Sequence, residues 1–236
     1  MDRLETATLT DGGENHVFIN CEKGFLYGRL NKVPDSPGLV ILVGDTHGLG
    51  ASDRQLGFAL RQAGLSVFEL NLLTKVEAHY HDIHHNVPFL AKRLGLFIDS
   101  VKAQMEEGVL PYQPYGIYAA NDVSPVAIRA AATHAKCIAA MVCLDGLIDL
   151  AGVEFLHAFA APLLMLLQTF DDKRVATVRR ALQELASEHE LRCFPKLRSE
   201  EDKSETPENP EIAQAVANWF LKHFEASRKI GAAKRF

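Results

Sequence analysis

Short apolar runs alternate with longer amphipathic segments along almost the whole chain. This pattern argues for a mostly parallel sheet covered by helices on both faces. Residues 39–43, 65–70, 115–120, 137–144 and 163–167 are largely unbroken apolar runs, as expected of strands buried on both sides. Residues 16–21 and 25–30 flank Glu22-Lys23-Gly24 with hairpin-like spacing, and 190–194 reads as a last strand. Helical periodicity predicts helices over 53–63, with Ser52 as N-cap and Gly64 as stop, over 88–107 and over 173–187. An alanine-rich helix should follow residue 124, a short one should lie around 150–160, and a closing helix should contain Trp219 and Phe220. The sum is a three-layer α/β fold with a mostly parallel twisted sheet of about seven or eight strands.

Length adds that 236 residues form one domain, with 1–14 and 226–236 as flexible tails. A formal charge of −5 without a basic face disfavours nucleic acid as a partner. No apolar run approaches the roughly 18–20 residues that span a bilayer, so no membrane association is expected. The first residues contain no apolar segment of the secretory type. Cys21, Cys137, Cys143 and Cys193 are scattered and read as buried thiols of a reducing, cytoplasmic compartment. No cofactor is expected, and the oligomeric state is not readable.

The segment with most chemical content is the end of the 115–120 run. Tyr115-Gly116-Ile117-Tyr118-Ala119-Ala120 passes into Asn121-Asp122-Val123-Ser124 and then directly into a helix. A strand, a sharp turn of small residues and an immediate helix resemble the nucleophile elbow of α/β-hydrolases, written G-x-S-x-G. Here Asn121 stands where the serine belongs. Further matches are Leu39-Val40-Ile41-Leu42-Val43 with His47-Gly48-Leu49-Gly50-Ala51-Ser52, and Ala63-Gly64-Leu65 leading to Leu70-Asn71-Leu72-Leu73-Thr74. Asp145-Gly146 with Asp149-Leu150-Ala151-Gly152, and Ala161-Pro162-Leu163-Leu164, complete the set. From about residue 17 to 224 the chain resembles the dienelactone-hydrolase-like branch of the α/β-hydrolase superfamily, including the hydrolase domains sometimes fused to phosphoribosyltransferases.

That resemblance implies that backbone N–H groups around His47, Gly48 and Leu49 help form an oxyanion hole. Asp171, with Asp172 beside it, falls at the place of the catalytic acid; capping the next helix is the alternative use. The base position holds no histidine, because Phe194-Pro195 runs into Lys196-Leu197-Arg198-Ser199-Glu200. His223 lies in the closing helix, where it should not reach the catalytic edge. Shifted by one residue, Asp122 takes the place of an aspartate nucleophile like that of haloalkane dehalogenases and epoxide hydrolases. The competing role for Asp122 is an N-cap.

His79, His81, His84 and His85 crowd one loop around Asp82, and imidazoles at this spacing could gather a divalent metal or supply a base to Asp122. Three readings stand. One is a hydrolase-like protein without the standard triad, binding a small molecule or partner in the crevice around Gly48, Asn121 and Asp171. The second is an active hydrolase of esters, lactones or halides using Asp122 or a base from the histidine loop. The third is a non-catalytic scaffold or oligomer subunit.

Overall fold

The structure, a computed structural model, describes residues 6–11, 14–21, 24–44, 48–135, 137–195 and 210–233. Nine strands form one sheet among them: β1 Thr6–Asp11, β2 Glu14–Cys21, β3 Gly24–Asn31, β4 Leu39–Val43, β5 Ser66–Leu70, β6 Tyr115–Ala120, β7 Ile138–Leu144, β8 Leu163–Leu167 and β9 His189–Cys193. Their order is β1-β2-β3-β5-β4-β6-β7-β8-β9. β1, β2, β3 and β5 pair antiparallel in succession, whereas β5, β4, β6, β7, β8 and β9 form a parallel array. The helices are α1 Ala51–Gln62, α2 His81–His84, α3 Val87–Glu106, α4 Ser124–Thr133, α5 Val153–Ala158, α6 Asp172–Gln183 and α7 Pro210–Ala233.

Strand periodicity divides the core in two. Leu39, Ile41, Val43, Leu163, Met165 and Leu167 face one side, where α3, α4, α5 and α6 pack. Val40, Leu42, Leu164 and Leu166 face the other, against α1 and α7. Because both sides are covered, β4 and β8 read as continuous apolar runs rather than alternating ones. Phe220 and Phe224 of α7 are fully buried, each contributing roughly 1.5–3 kcal/mol of burial. Gly116 in β6 makes that approach possible, since a Cβ there would lie 2.6 Å from both the Ala140 carbonyl oxygen and the Phe220 ring.

Four expectations need correction. Residues 6–11, assigned to a flexible tail, form β1 by pairing with β2 in the register Asp11↔Glu14, so the sheet has one strand more than anticipated. The closing helix continues to Ala233, through residues also assigned to a tail. The N-cap of α1 is Gly50, not Ser52; Asp53 accepts the Gly50 N–H at 3.0 Å and performs the capping from inside the first turn. Among the thiols with described side chains only Cys143 is buried, whereas Cys137 and Cys193 are half-exposed. Burial pushes the Cys143 thiol up to about 12, which makes it inert. No helix among the described residues is long and apolar enough to cross a membrane.

Candidate active-site crevice

The order β5-β4-β6 reverses the direction in which the chain builds the sheet, so β4 and β6 lead to helices on opposite faces, α1 and α4, and the carboxyl edge between them is the switch point where a ligand crevice is expected. Gly44 follows β4, and its N–H is held by the Leu70 carbonyl at 2.9 Å. The chain returns at Gly48, with φ of 99°, a conformation open to glycine and disfavoured for residues with a Cβ. Asn71, the first residue after β5, accepts the Leu49 N–H on its Oδ1 at 3.2 Å and so ties the two loops together. His47 lies outside the described residues.

Across the crevice β6 ends at Ala120, and Asn121 takes φ of 51° before a 3-10 turn, Asn121–Val123, that leads straight into α4. A non-glycine residue in the left-handed region is uncommon, and asparagine is among the few that tolerate it. The backbone is therefore that of the elbow anticipated from sequence, with an exposed amide in place of a hydroxyl. Pro125, an unexpected residue at such a turn, sits in the first turn of α4, where its missing N–H has no intrahelical acceptor to lose. Asp122 is half-buried in the 3-10 turn and is not an N-cap: the caps of the two segments are Ala120 and Val123.

The next strand end supports the turn. Asp145 follows β7 at φ of 51°; its Oδ1 accepts the Gln168 N–H at 3.0 Å and its carbonyl accepts Arg174 Nη2 at 2.8 Å. Gly146 then lies against Ser124, and any Cβ there would collide with the buried serine side chain. Asn71 and Asp145 were present in the sequence matches but carried no assigned role. Their signal was position: each is the first residue beyond a buried strand at the crevice edge.

Asp171, the residue at the acid position, caps α6, with Oδ1 accepting the Lys173 N–H at 2.8 Å. His223 is buried near the amino end of β9, at the opposite edge of the sheet from the crevice. Its ring centroid is 4.4 Å from that of Trp219, its Nε2 is 3.9 Å from Glu188 Oε1, and burial pushes its pKa down. His134, His157 and His189 pair respectively with Asp99, Glu184 and the Ser187 carbonyl. The segment after Pro195 that would carry the base, 196–209, lies outside the described residues.

The histidine loop is tied down by hydrogen bonds, and a buried pair of charges anchors it. Thr74 and Glu77 cap each other reciprocally: the Thr74 N–H meets Glu77 Oε2 at 3.0 Å, and the Glu77 N–H meets Thr74 Oγ1 at 3.2 Å. Arg93 of α3 grips the same carboxylate through Nη1 at 2.7 Å and Nη2 at 2.9 Å, and Nη1 also reaches the Leu72 carbonyl at 2.8 Å. The Arg93 fork, opposed by burial, holds the Glu77 carboxyl at about 2. His79 Nδ1 is then 2.8 Å from the Lys75 carbonyl oxygen, and the buried His84 has Nε2 3.0 Å from that of Ala78. The metal reading does not assemble: among the described residues no group of three or more His, Cys, Asp or Glu is arranged to hold an ion.

No family model matches the chain, and no curated protein matches it. Solved structures do. Dienelactone hydrolase from Anabaena variabilis is 24% identical with a TM-score of 0.77, covering 89% of this chain and 97% of that one. Est1E from Butyrivibrio proteoclasticus is 14% identical with a TM-score of 0.65, over 89% of this chain and 99% of its own. Carboxyl esterase 2 from Tuber melanosporum is also 14% identical at a TM-score of 0.65, over 95% and 88%. With its three layers, its parallel array and the switch-point crevice, the chain has the α/β-hydrolase fold.

Proposed function

We propose that this protein binds a small carbonyl compound, an ester, a lactone or the corresponding acid, in the crevice between Gly48 and Asn121, without Ser-His-Asp hydrolysis. The observation that carries the reading is Asn121: a residue without a hydroxyl or thiol, held at φ of 51° in the elbow turn. An elbow exists to present one side chain at the crevice. With asparagine there, what it presents is an amide that can donate to and accept from a ligand but cannot be activated by a base as a hydroxyl is. Across the crevice Gly48, without a Cβ, lets a ligand's carbonyl or carboxylate oxygen come close to the backbone, and Asn71 holds the Leu49 N–H beside it. Asp171 is committed to α6, which supports the same conclusion. The names of the structural neighbours, a dienelactone hydrolase and esterases, suggest the carbonyl class of ligand.

The test is a titration of the labelled protein with short-chain lactones, esters and their acids, followed by amide NMR. Saturable shifts at Gly48, Asn71 and Asn121 with no product formed are the expected result. Enzymatic product that disappears in Asp122→Asn would replace this reading with an aspartate nucleophile.

A further inference from the structure

A second concavity lies on the outer face of α3 and α4, away from the strand ends. Pro88, Ala91, Lys92, Gly95, Leu96 and Asp99 recur at helical spacing along one stripe of α3. Arg129 and His134, with Phe155 of α5, close the other side around a cleft of about 400 Å³. That volume falls within the range of roughly 300–1,000 Å³ typical of small-molecule sites.

Arg129 is fixed before any ligand arrives. Its Nε donates to the Ala151 carbonyl at 2.6 Å, and its guanidinium carbon sits 4.5 Å from the Phe155 ring centroid. Both contacts leave the two Nη groups as donors, and among the described residues no protein acceptor takes either. A rigid fork of this kind matches a carboxylate through two parallel hydrogen bonds. Lys92 adds a second cation to the lining, while the one carboxylate, Asp99, is 3.3 Å from His134 Nε2. Gly95 is what lets that imidazole lie against α3, since a Cβ would come 2.8 Å from His134 Cε1. Ala91, Leu96 and the Phe155 ring supply apolar walls.

We propose that this cleft binds a small monocarboxylic acid with a flat apolar body, its carboxylate on Arg129 and its ring between Phe155 and Leu96. A single negative charge suits a site that also contains Asp99; a dianion such as a phosphate ester meets more repulsion there. The site is separate from the Gly48–Asn121 crevice and does not depend on its role.

The experiment titrates the full chain, isotope-labelled, with benzoate, benzamide and phenyl phosphate. Benzoate is expected to shift the amides of Leu96, Thr133 and His134 saturably, with the other two binding at least about tenfold more weakly. Arg129→Met should weaken benzoate by roughly tenfold to a hundredfold. Leu96→Glu, an exposed position whose change leaves the fold intact, should act in the same direction by repulsion. Benzamide or phenyl phosphate binding as tightly as benzoate would overturn the carboxylate assignment. Benzoate shifts confined to Gly48 and Asn121, binding indifferent to both substitutions, or no saturable shift would overturn the site itself.

Discussion

The turn after β6 and the loop after β5 both lie at the carboxyl edge, and they divide the attributes of a functional site between them. The loop after β5 is rich in titratable groups: four histidines and a buried ion pair within residues 77–93. Yet Arg93 and Glu77 satisfy each other, and His79 and His84 turn to carbonyls of their own loop. The turn after β6 has an amide where a nucleophile would be, but it bends the backbone into the left-handed region at the mouth of the crevice. Chemical richness here serves structure, while the unusual backbone lies at the proposed crevice. Residues held in sparsely populated conformations cluster where function requires them, and Asn121, Asp145 and Gly48 share this edge.

The comparison is open to attack from both sides. Glu77→Ala strands a buried guanidinium, so denaturant unfolding should show a loss of about 3–5 kcal/mol. A loss under about 1 kcal/mol would mean the pair does not anchor the loop. The same carboxylate sets a pH dependence. Its pKa of about 2 lies below the ordinary 4.5, so its stabilisation is complete above the unfolded value and disappears as pH falls towards 2. Stability should drop by on the order of 3 kcal/mol across that window in the parent and stay comparatively flat in Glu77→Ala, as read by urea midpoints at stepped pH.

The elbow is challenged by smaller changes. Gly146→Ala drives a methyl into Ser124 and should cost about 1–3 kcal/mol while shifting the amides of Asn121 and Asp122. Asn121→Ala should destabilise by about 1–2 kcal/mol and Asn121→Gly by little, because alanine keeps the Cβ that resists φ of 51° but loses the polar side chain that makes asparagine tolerant there, whereas glycine has no Cβ. Equal stabilities for those two variants would remove the case for a strained turn. Asp171→Ala should cost roughly 1 kcal/mol through loss of the α6 cap and leave ligand shifts at Asn121 unchanged.

The parallel array was legible because its strands are covered on both faces: β4, β6 and β8 have the very bounds their apolar runs suggested. β1 was not, since Thr6–Asp11 contains no continuous apolar run to announce a strand; it pairs with β2 along its length. At the site, Asn121 was legible as an anomaly in a known turn. Its positive φ was not written in the residue pattern, and neither were the Asp145–Gln168 and Asn71–Leu49 bonds nearby, because those bonds join segments 23 and 22 positions apart in sequence. The Arg93–Glu77 clasp was hidden for the same reason, its partners being sixteen positions apart.

The central claim is an elbow that binds without triad chemistry. It is tested most directly by product formation from a panel of short acyl esters and lactones, comparing the parent, Asn121→Ser and Asp122→Asn. The expected result is no turnover above the uncatalysed rate in any of the three, since a restored hydroxyl at position 121 would still lack the partner base that activates it. Turnover by the parent that is lost in Asp122→Asn, or turnover gained in Asn121→Ser, would contradict it and show that the crevice holds a working base.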